Sequence, residues 1–177
     1  MRTLAVSAFL LLGVACSGGA AEDLTRDMST AELSKWGEGI IDCSVPGLGV
    51  EMPLAPVRSD VSGDGKDDVI VSLECVTGDA SSFSHVVALD GASAAEEPTV
   101  LGTLVSMPRT RDYRRAVRTG AKVRKITVRK DLVTVVADQW RYMDAKACPS
   151  RKYVQIFRVE DGKLSGRAPS RLDVTTC

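Results

Sequence analysis

Acidic residues recur at a regular spacing in one short stretch of the chain. Asp60, Asp64 and Asp68 lie four residues apart, and Ser62 lies between the first two. This spacing turns alternate side-chain oxygens towards one centre, and oxygen atoms are the ligands that calcium takes in proteins. The intervening glycines allow the sharp backbone bend that wrapping a small cation requires. The stretch therefore predicts a calcium site.

A metal-free turn is the alternative interpretation of the same residues. Gly-Asp-Gly sequences are common in surface turns, and such a turn needs no cation to begin a strand. Four carboxylates nevertheless fall within nine residues, namely those of Asp60, Asp64, Asp67 and Asp68. Because these charges repel one another without a cation, we favour the calcium interpretation.

The stretch resembles two kinds of known calcium loop. Its first six residues are similar to an EF-hand loop, but Val71 stands at the twelfth position, where an EF-hand has a bidentate Glu. It resembles more closely the Asp-rich loops of FG-GAP and related β-repeat proteins, which lie between strands. That resemblance implies five ligand positions: Asp60, Ser62, Asp64, the carbonyl of Lys66, and Asp68. The chain carries one copy, so the resemblance does not imply a propeller.

The N-terminus has the features of an export signal. Leu4–Ala15 is apolar except for Ser7, and it is shorter than the about twenty residues that span a bilayer. The sequence Gly13-Val-Ala-Cys16 resembles the lipobox of bacterial lipoproteins, which implies a diacylglycerol on Cys16 and a membrane anchor. Ordinary cleavage near Gly18-Gly-Ala-Ala21 is the alternative, and it would release a secreted protein.

These features divide the chain into three parts. Residues 1–15 are predicted to be the signal peptide, and residues 16–27 the lipidated cysteine and a flexible tether. Residues 28–177 are predicted to form one β-rich domain, since a chain of this length can bury one real core. The mature protein is therefore expected outside the cytoplasm, held at the cell membrane by lipid.

Cysteine usage agrees with export. With Cys16 assigned to lipid, Cys43, Cys75, Cys148 and Cys177 remain, and an even number in an exported chain predicts two disulfides. Four cysteines allow three pairings. We expect Cys43–Cys75 and Cys148–Cys177, because each pair closes a loop of about thirty residues around a stretch with few other ordering features.

Charge is unevenly distributed along a chain of net charge zero. Residues 17–108 hold 4 Lys and Arg against 16 Asp and Glu, whereas residues 109–177 hold 18 against 7. The basic half predicts a surface for an anionic partner; mutual neutralisation of the halves is the alternative. The predicted surface comprises Arg109, Arg111, Arg114, Arg115, Arg118, Lys125 and Arg129. Strand alternation predicts that Arg124 faces the other way, with Ile126 and Val128.

Alternating apolar residues predict a mainly β fold. Strands are expected at about 68–77, 84–90, 99–106, 123–129, 132–138, 152–160 and 162–166, joined mostly as hairpins. A capping-box pattern at Ser29-Thr-Ala-Glu32 predicts a short helix from Thr30 to about Trp36, which ends at Gly37 or Gly39. The fold class is therefore a single antiparallel β domain with a short N-terminal helix. The order of features resembles secreted lipoproteins of actinobacterial type, a group with no assigned activity.

No catalytic motif accompanies these features. His85 follows Ser84 in a predicted strand, so the two side chains point to opposite faces and cannot act as a pair. We therefore expect a binding or accessory module at the cell envelope, with a structural protein or a hydrolase as the alternatives. The expected partners are the membrane, an anionic envelope polymer or another envelope protein. Nucleic acid is not expected, because aromatic residues do not interleave the basic run.

Overall fold

The secondary structure is a series of short antiparallel strands that follows one helix. The computed structural model describes residues 30–41, 49–75, 83–94, 97–106, 120–141, 144–145, 148–160, 163–166 and 170–173. The elements are α1 (Thr30–Ile40), β1 (Val50–Glu51), β2 (Val57–Ser59), β3 (Asp68–Cys75), β4 (Ser84–Leu89), β5 (Val100–Val105), β6 (Lys122–Arg129), β7 (Leu132–Gln139), β8 (Arg151–Glu160), β9 (Lys163–Gly166) and β10 (Ser170–Asp173).

The strands form two antiparallel sheets of similar design. Sheet I has the order β1-β3-β4-β5, and β2 pairs with β3 on the same edge as β1. Sheet II has the order β10-β8-β7-β6, and β9 pairs with β8 beside β10. In each sheet, therefore, two short strands share the edge of one long strand. The prediction of a mainly antiparallel β fold is confirmed.

The two sheets pack face to face around the main core. Ile70 and Val86 of sheet I belong to one apolar cluster with Val133, Val135 and Phe157 of sheet II. These residues alternate along their strands with residues of the opposite face, which is the pattern expected where a strand buries one face. The inner faces of both sheets thus form one shared core.

Sheet I is also buried on its outer face. Val69, Val71 and Leu73 alternate with the inward residues of β3, and they form a second apolar cluster with Leu33 of α1. Burial on both faces explains why every residue of β3 is buried and why its sequence is a nearly continuous apolar run. Among the described residues, no helix has the length and apolarity that crossing a membrane requires.

The helix is longer than the sequence predicts. It continues past Gly37 and Gly39 to Ile40, so the expectation that a glycine ends it was wrong. A Cβ atom at Gly37 would lie 2.9 Å from Leu73 Cδ2, whereas a Cβ at Gly39 would meet nothing within 4 Å. Gly37 therefore permits the close approach of α1 to sheet I and is not a helix cap.

The hairpin β6–β7 follows the predicted pairing except at one point. Ile126 pairs with Val135, as alternation predicts. Val123 pairs with Ala137 and Lys125 with Val136, so Arg124 is the extra residue of a β-bulge. The bulge shifts the alternation by one residue, which explains why the prediction that Arg124 shares a face with Ile126 and Val128 was wrong.

Three short strands were not predicted from the sequence. They are β1, β2 and β10, each of four residues or fewer. Prolines at positions 53 and 56 interrupt the residues before β2, yet the chain directly after Pro56 pairs with β3. A short edge strand depends on the strand beside it, and its own sequence carries little periodicity.

Candidate metal centre

The loop between β2 and β3 is the predicted calcium site. Ser59 pairs with Asp68, so residues 60–67 connect two antiparallel strands. Gly63 and Gly65 have φ angles of 82° and 89°. These values lie in the left-handed region, which residues with a Cβ rarely adopt. The two glycines therefore have the conformational role that the sequence analysis gave them.

Asp60 and Asp64 organise the backbone of this loop. Asp60 Oδ1 accepts a hydrogen bond from the N–H of Gly63 at 2.6 Å, and its Oδ2 accepts one from the N–H of Gly65 at 3.0 Å. Asp64 Oδ1 accepts a bond from the N–H of Lys66 at 2.9 Å. Each oxygen keeps a lone pair, because one hydrogen bond uses only one of two acceptor positions.

Asp68 has a structural role that the sequence analysis missed. Its side chain is fully buried, and its Oδ2 accepts hydrogen bonds from the N–H groups of Val61 at 2.9 Å and Ser62 at 2.7 Å. Its Oδ1 accepts a bond from the N–H of Gly91 at 2.9 Å. Three of its four lone pairs are therefore used within the protein. Asp68 joins the loop to the turn between β4 and β5.

Gly91 is required for this junction. A Cβ atom at this position would lie 2.1 Å from the carbonyl oxygen of Asp67, so any other residue would push the turn away from the loop. The sequence offered a signal, since Asp90-Gly91 is a typical turn dipeptide. It offered no indication that the turn contacts residues 23 positions earlier.

The hydroxyl of Ser62 is the unusual atom of the loop. Ser62 Oγ is buried and has no hydrogen-bond partner among the residues that the structure describes. Buried polar atoms in folded proteins are nearly always paired, so an unpaired one calls for an explanation. Ser62 is the second of the five ligand positions that the resemblance to FG-GAP loops implies. Its unpaired oxygen fits the prediction that it faces a cation or a water molecule bound to one.

The donor chemistry of the loop suits calcium. Side-chain oxygens of Asp60, Ser62 and Asp64 and the carbonyl of Lys66 are hard ligands from a single short segment. Within the described ranges, no three His, Cys, Asp or Glu side chains are grouped closely enough to form a metal site by themselves. The five predicted ligands therefore remain a prediction, in which hydroxyl and carbonyl oxygens complete the set.

A second polar cluster, also missed from the sequence, lies between the sheets. Ser84 Oγ is fully buried; it donates a 2.5 Å hydrogen bond to Glu74 Oε1 and accepts one from the N–H of Val123 at 2.8 Å. Lys122 Nζ lies 3.6 Å from Glu74 Oε2. The signal was Glu74 itself, a charged residue within the apolar run of β3. This cluster links the two sheets across the core.

Ser84 and His85 are consecutive residues of β4, and their side chains lie on opposite faces of sheet I. Ser84 shares the inward face of β4 with Val86 and Ala88, which belong to the core between the sheets. Val87 and Leu89, which alternate with these residues along β4 as His85 does, belong to the apolar cluster that includes Leu33 of α1. Strand geometry therefore places Ser84 and His85 on opposite faces.

Among the described residues, the carboxyl group of Asp144 has a pKa that its surroundings shift clearly. Burial raises the pKa of this carboxyl, but hydrogen bonds to its charged form outweigh that effect, and the pKa is lowered from its ordinary value. The donors to Asp144 Oδ2 are the N–H of Arg141 at 2.6 Å, and the N–H and hydroxyl of Ser150 at 2.9 and 2.8 Å. The ionised carboxylate thus closes the loop between β7 and β8.

The remaining predicted site residues fall partly within the described structure. Cys75 and Cys148 are both disulfide-bonded. Cys16, Cys43 and Cys177 lie outside the described residues, so the pairing stays a prediction. Lys125 and Arg129 are exposed on sheet II. The other predicted members of the basic surface also lie outside the described residues: Arg109, Arg111, Arg114, Arg115 and Arg118.

The chain was compared with protein families, curated proteins and solved structures. No protein family, curated protein or solved structure matches it.

Proposed function

We propose that this protein is a calcium-stabilised β domain, anchored by lipid outside the cytoplasm, that serves as a binding or accessory module at the cell envelope. The anchor is supported by the lipobox-like sequence before Cys16, and export by the apolar segment that precedes it. Calcium is supported by the geometry of the loop between β2 and β3.

The unpaired hydroxyl of Ser62 is the observation that carries the calcium proposal. A buried hydroxyl without a partner costs free energy, because it has lost its hydrogen bonds to water. The neighbouring Asp60 and Asp64 bring negative charge to the same loop, which adds a second unfavourable term. A bound calcium ion supplies a positive centre that removes both costs.

The residues of the loop connect such a site to the fold. Asp60 shapes the loop through its bonds to Gly63 and Gly65. Asp68 ties the loop to Gly91, and β3 continues directly from Asp68 into the centre of sheet I. A ligand that fixes the loop therefore also stabilises β3 and the turn before β5, which belong to sheet I. A ligand that binds only the folded state stabilises it by about 2.7 kcal/mol at a hundredfold excess over its Kd.

The test compares melting temperatures in excess calcium and in chelator. The wild-type protein should melt higher in calcium, and Asp64→Asn should lose most of that gain. Asp67→Asn is the matched control, because Asp67 is an exposed acid of the same loop but is no predicted ligand. It removes the same charge and should keep most of the gain.

Ser62→Ala should have effects of opposite sign in the two conditions. In chelator it removes an unpaired buried hydroxyl, so stability should be unchanged or rise by about 0.5–1 kcal/mol. In calcium it removes a ligand, so stability should fall relative to the wild type. A wild-type melting temperature that responds to neither calcium nor chelator would establish the metal-free turn instead.

A further inference from the structure

The outer face of sheet II differs in character from that of sheet I. Sheet I carries α1 over its outer face, whereas the corresponding face of sheet II is open to solvent, with Ile156 40 % exposed. We call it the open face. Apart from Lys122, whose Nζ lies 3.6 Å from Glu74 Oε2, its residues on β6, β7 and β8, assigned by the observed register, are Arg124, Lys125, Thr127, Arg129, Leu132, Thr134, Val136, Asp138, Lys152, Val154, Ile156, Arg158 and Glu160.

The middle of the open face is apolar. Val136 pairs with Val154, and Thr134 pairs with Ile156, so these side chains adjoin across β7 and β8. Thr127 of β6 pairs with Thr134 and extends the row. Side chains at directly paired positions contact one another on the sheet surface. The centre is therefore a short patch of β-branched residues.

Cations surround this patch. Arg124 forms an ion pair with Asp138 at 2.6 Å, and Arg158 forms one with Asp131 at 3.0 Å. Exposed Lys125, Arg129 and Lys152 have no ion pair with a described acidic residue. The open face therefore carries an excess of positive charge around an apolar centre.

We propose that the open face docks on the anionic lipid headgroups of the membrane surface. An apolar centre with a cationic border suits this partner, because β-branched side chains reach the apolar boundary while Lys and Arg contact the headgroups. A soluble polyanion would contact the border but would offer nothing to Ile156.

This inference rests on the anchoring part of the proposed function. With lipid on Cys16, the residues between it and α1 are predicted from their composition to be a flexible tether, for which the root-mean-square length is about 20 Å. Such a tether keeps the domain within reach of the headgroups at high effective concentration. Weak attraction by a few cations is then sufficient to hold one face against the membrane.

The test measures vesicle binding without the acyl chains. The chain from residue 16 onward, with Cys16→Ser, is mixed with vesicles of equal phosphatidylglycerol and phosphatidylcholine, and separately with phosphatidylcholine alone. The protein should bind only the anionic vesicles, and binding should fall steeply between about 0.05 M and about 0.5 M salt.

Substitutions on and off the open face test whether this face is the one that binds the vesicles. Lys125→Ser/Lys152→Ser should weaken binding about 25-fold, since each cation near an anionic membrane contributes about fivefold. Lys66→Ser/Arg141→Ser is the matched control, because it removes two exposed cations that lie off the open face and keeps the backbone carbonyl that is the predicted ligand at position 66. The control should bind within about threefold of the wild type. Ile156→Ser should weaken binding by a factor that does not depend on salt.

Three outcomes would overturn the inference. They are negligible binding to the anionic vesicles, equal weakening in the two double variants, and binding to soluble anionic wall polymer with none to vesicles. The last would identify the polymer as the partner. Because the assay uses unlipidated protein, it is independent of acylation, which mass spectrometry of the native protein tests separately, and of the calcium response.

Discussion

At the residue scale, Asp68 was predicted to be a metal ligand, and the structure shows that its carboxylate also binds backbone N–H groups of two separate segments. The spacing of acidic residues places Asp68 among the predicted calcium ligands. The fold surrounds its side chain with three backbone N–H donors. Charged acceptors form stronger hydrogen bonds than neutral ones, so this side chain stabilises the loop whether or not a metal is bound.

Asp68→Asn should therefore destabilise the protein even in chelator. One oxygen is replaced by an NH₂ group, which faces an N–H donor in either orientation of the amide, and the expected loss is about 2–4 kcal/mol. Denaturant unfolding measures it, and exposed Asp67→Asn serves as the control with a change of at most about 0.5 kcal/mol. An Asp68→Asn protein of wild-type stability in chelator, but without the calcium gain, would show that Asp68 acts as a ligand alone.

At the element scale, the contact between α1 and sheet I depends on the absence of a side chain. Helices commonly end at glycine, and the sequence offers two glycines where the helix was expected to end. Gly37 instead lies against Leu73 and Val50, so packing and not local preference determines how far the helix extends. A helix is continued when its apolar face gains more from burial than a glycine costs.

Two substitutions in α1 test this role. Gly37→Leu must fit its side chain into the space that Leu73 and Val50 occupy, and overpacking of this kind costs about 1–3 kcal/mol. Gly39→Leu is the matched control: its Cβ has open space, and helix propensity should stabilise the protein by up to about 1 kcal/mol. Thermal unfolding of both variants decides the point, and equal effects would mean that α1 does not pack closely on sheet I.

At the scale of the whole molecule, the two sheets are joined by polar as well as apolar contacts. Ser84 of sheet I accepts a hydrogen bond from the N–H of Val123 in sheet II, and it donates one to buried Glu74. The N–H of Ser84 also donates to the carbonyl of Ala121 at 2.8 Å. Hydrogen bonds have stricter geometry than apolar contacts, so this cluster defines how the sheets align.

Ser84→Ala should loosen that alignment. The substitution removes one hydrogen bond from the buried carboxylate of Glu74 and the acceptor of the N–H of Val123, which should cost about 2–4 kcal/mol. Hydrogen exchange should rise at Val123 before it rises in the centre of β7. Ser165→Ala, on exposed β9, removes a hydroxyl outside the core and should change stability by less than about 0.5 kcal/mol. Equal stability of the two variants would refute the linking role of Ser84.

Features that depend on neighbouring residues were predicted from the sequence. The hairpins β6–β7 and β8–β9 follow from alternating apolar residues beside short turns, and the loop at residues 60–68 follows from its glycines and aspartates. These signals are local, because strand alternation and turn conformation are properties of a few consecutive residues.

Only the tertiary structure decided the contacts between distant segments. It brought Gly91 to Asp68, Val123 to Ser84 and α1 to the outer face of β3. Each of these contacts depends on which strands pair and which faces are covered, and no short stretch of sequence encodes that. The spacing that predicts calcium ligands was therefore visible in the residues, whereas the hydrogen bonds of Asp68 to Gly91 and the open face of sheet II emerged only when the two sheets were assembled.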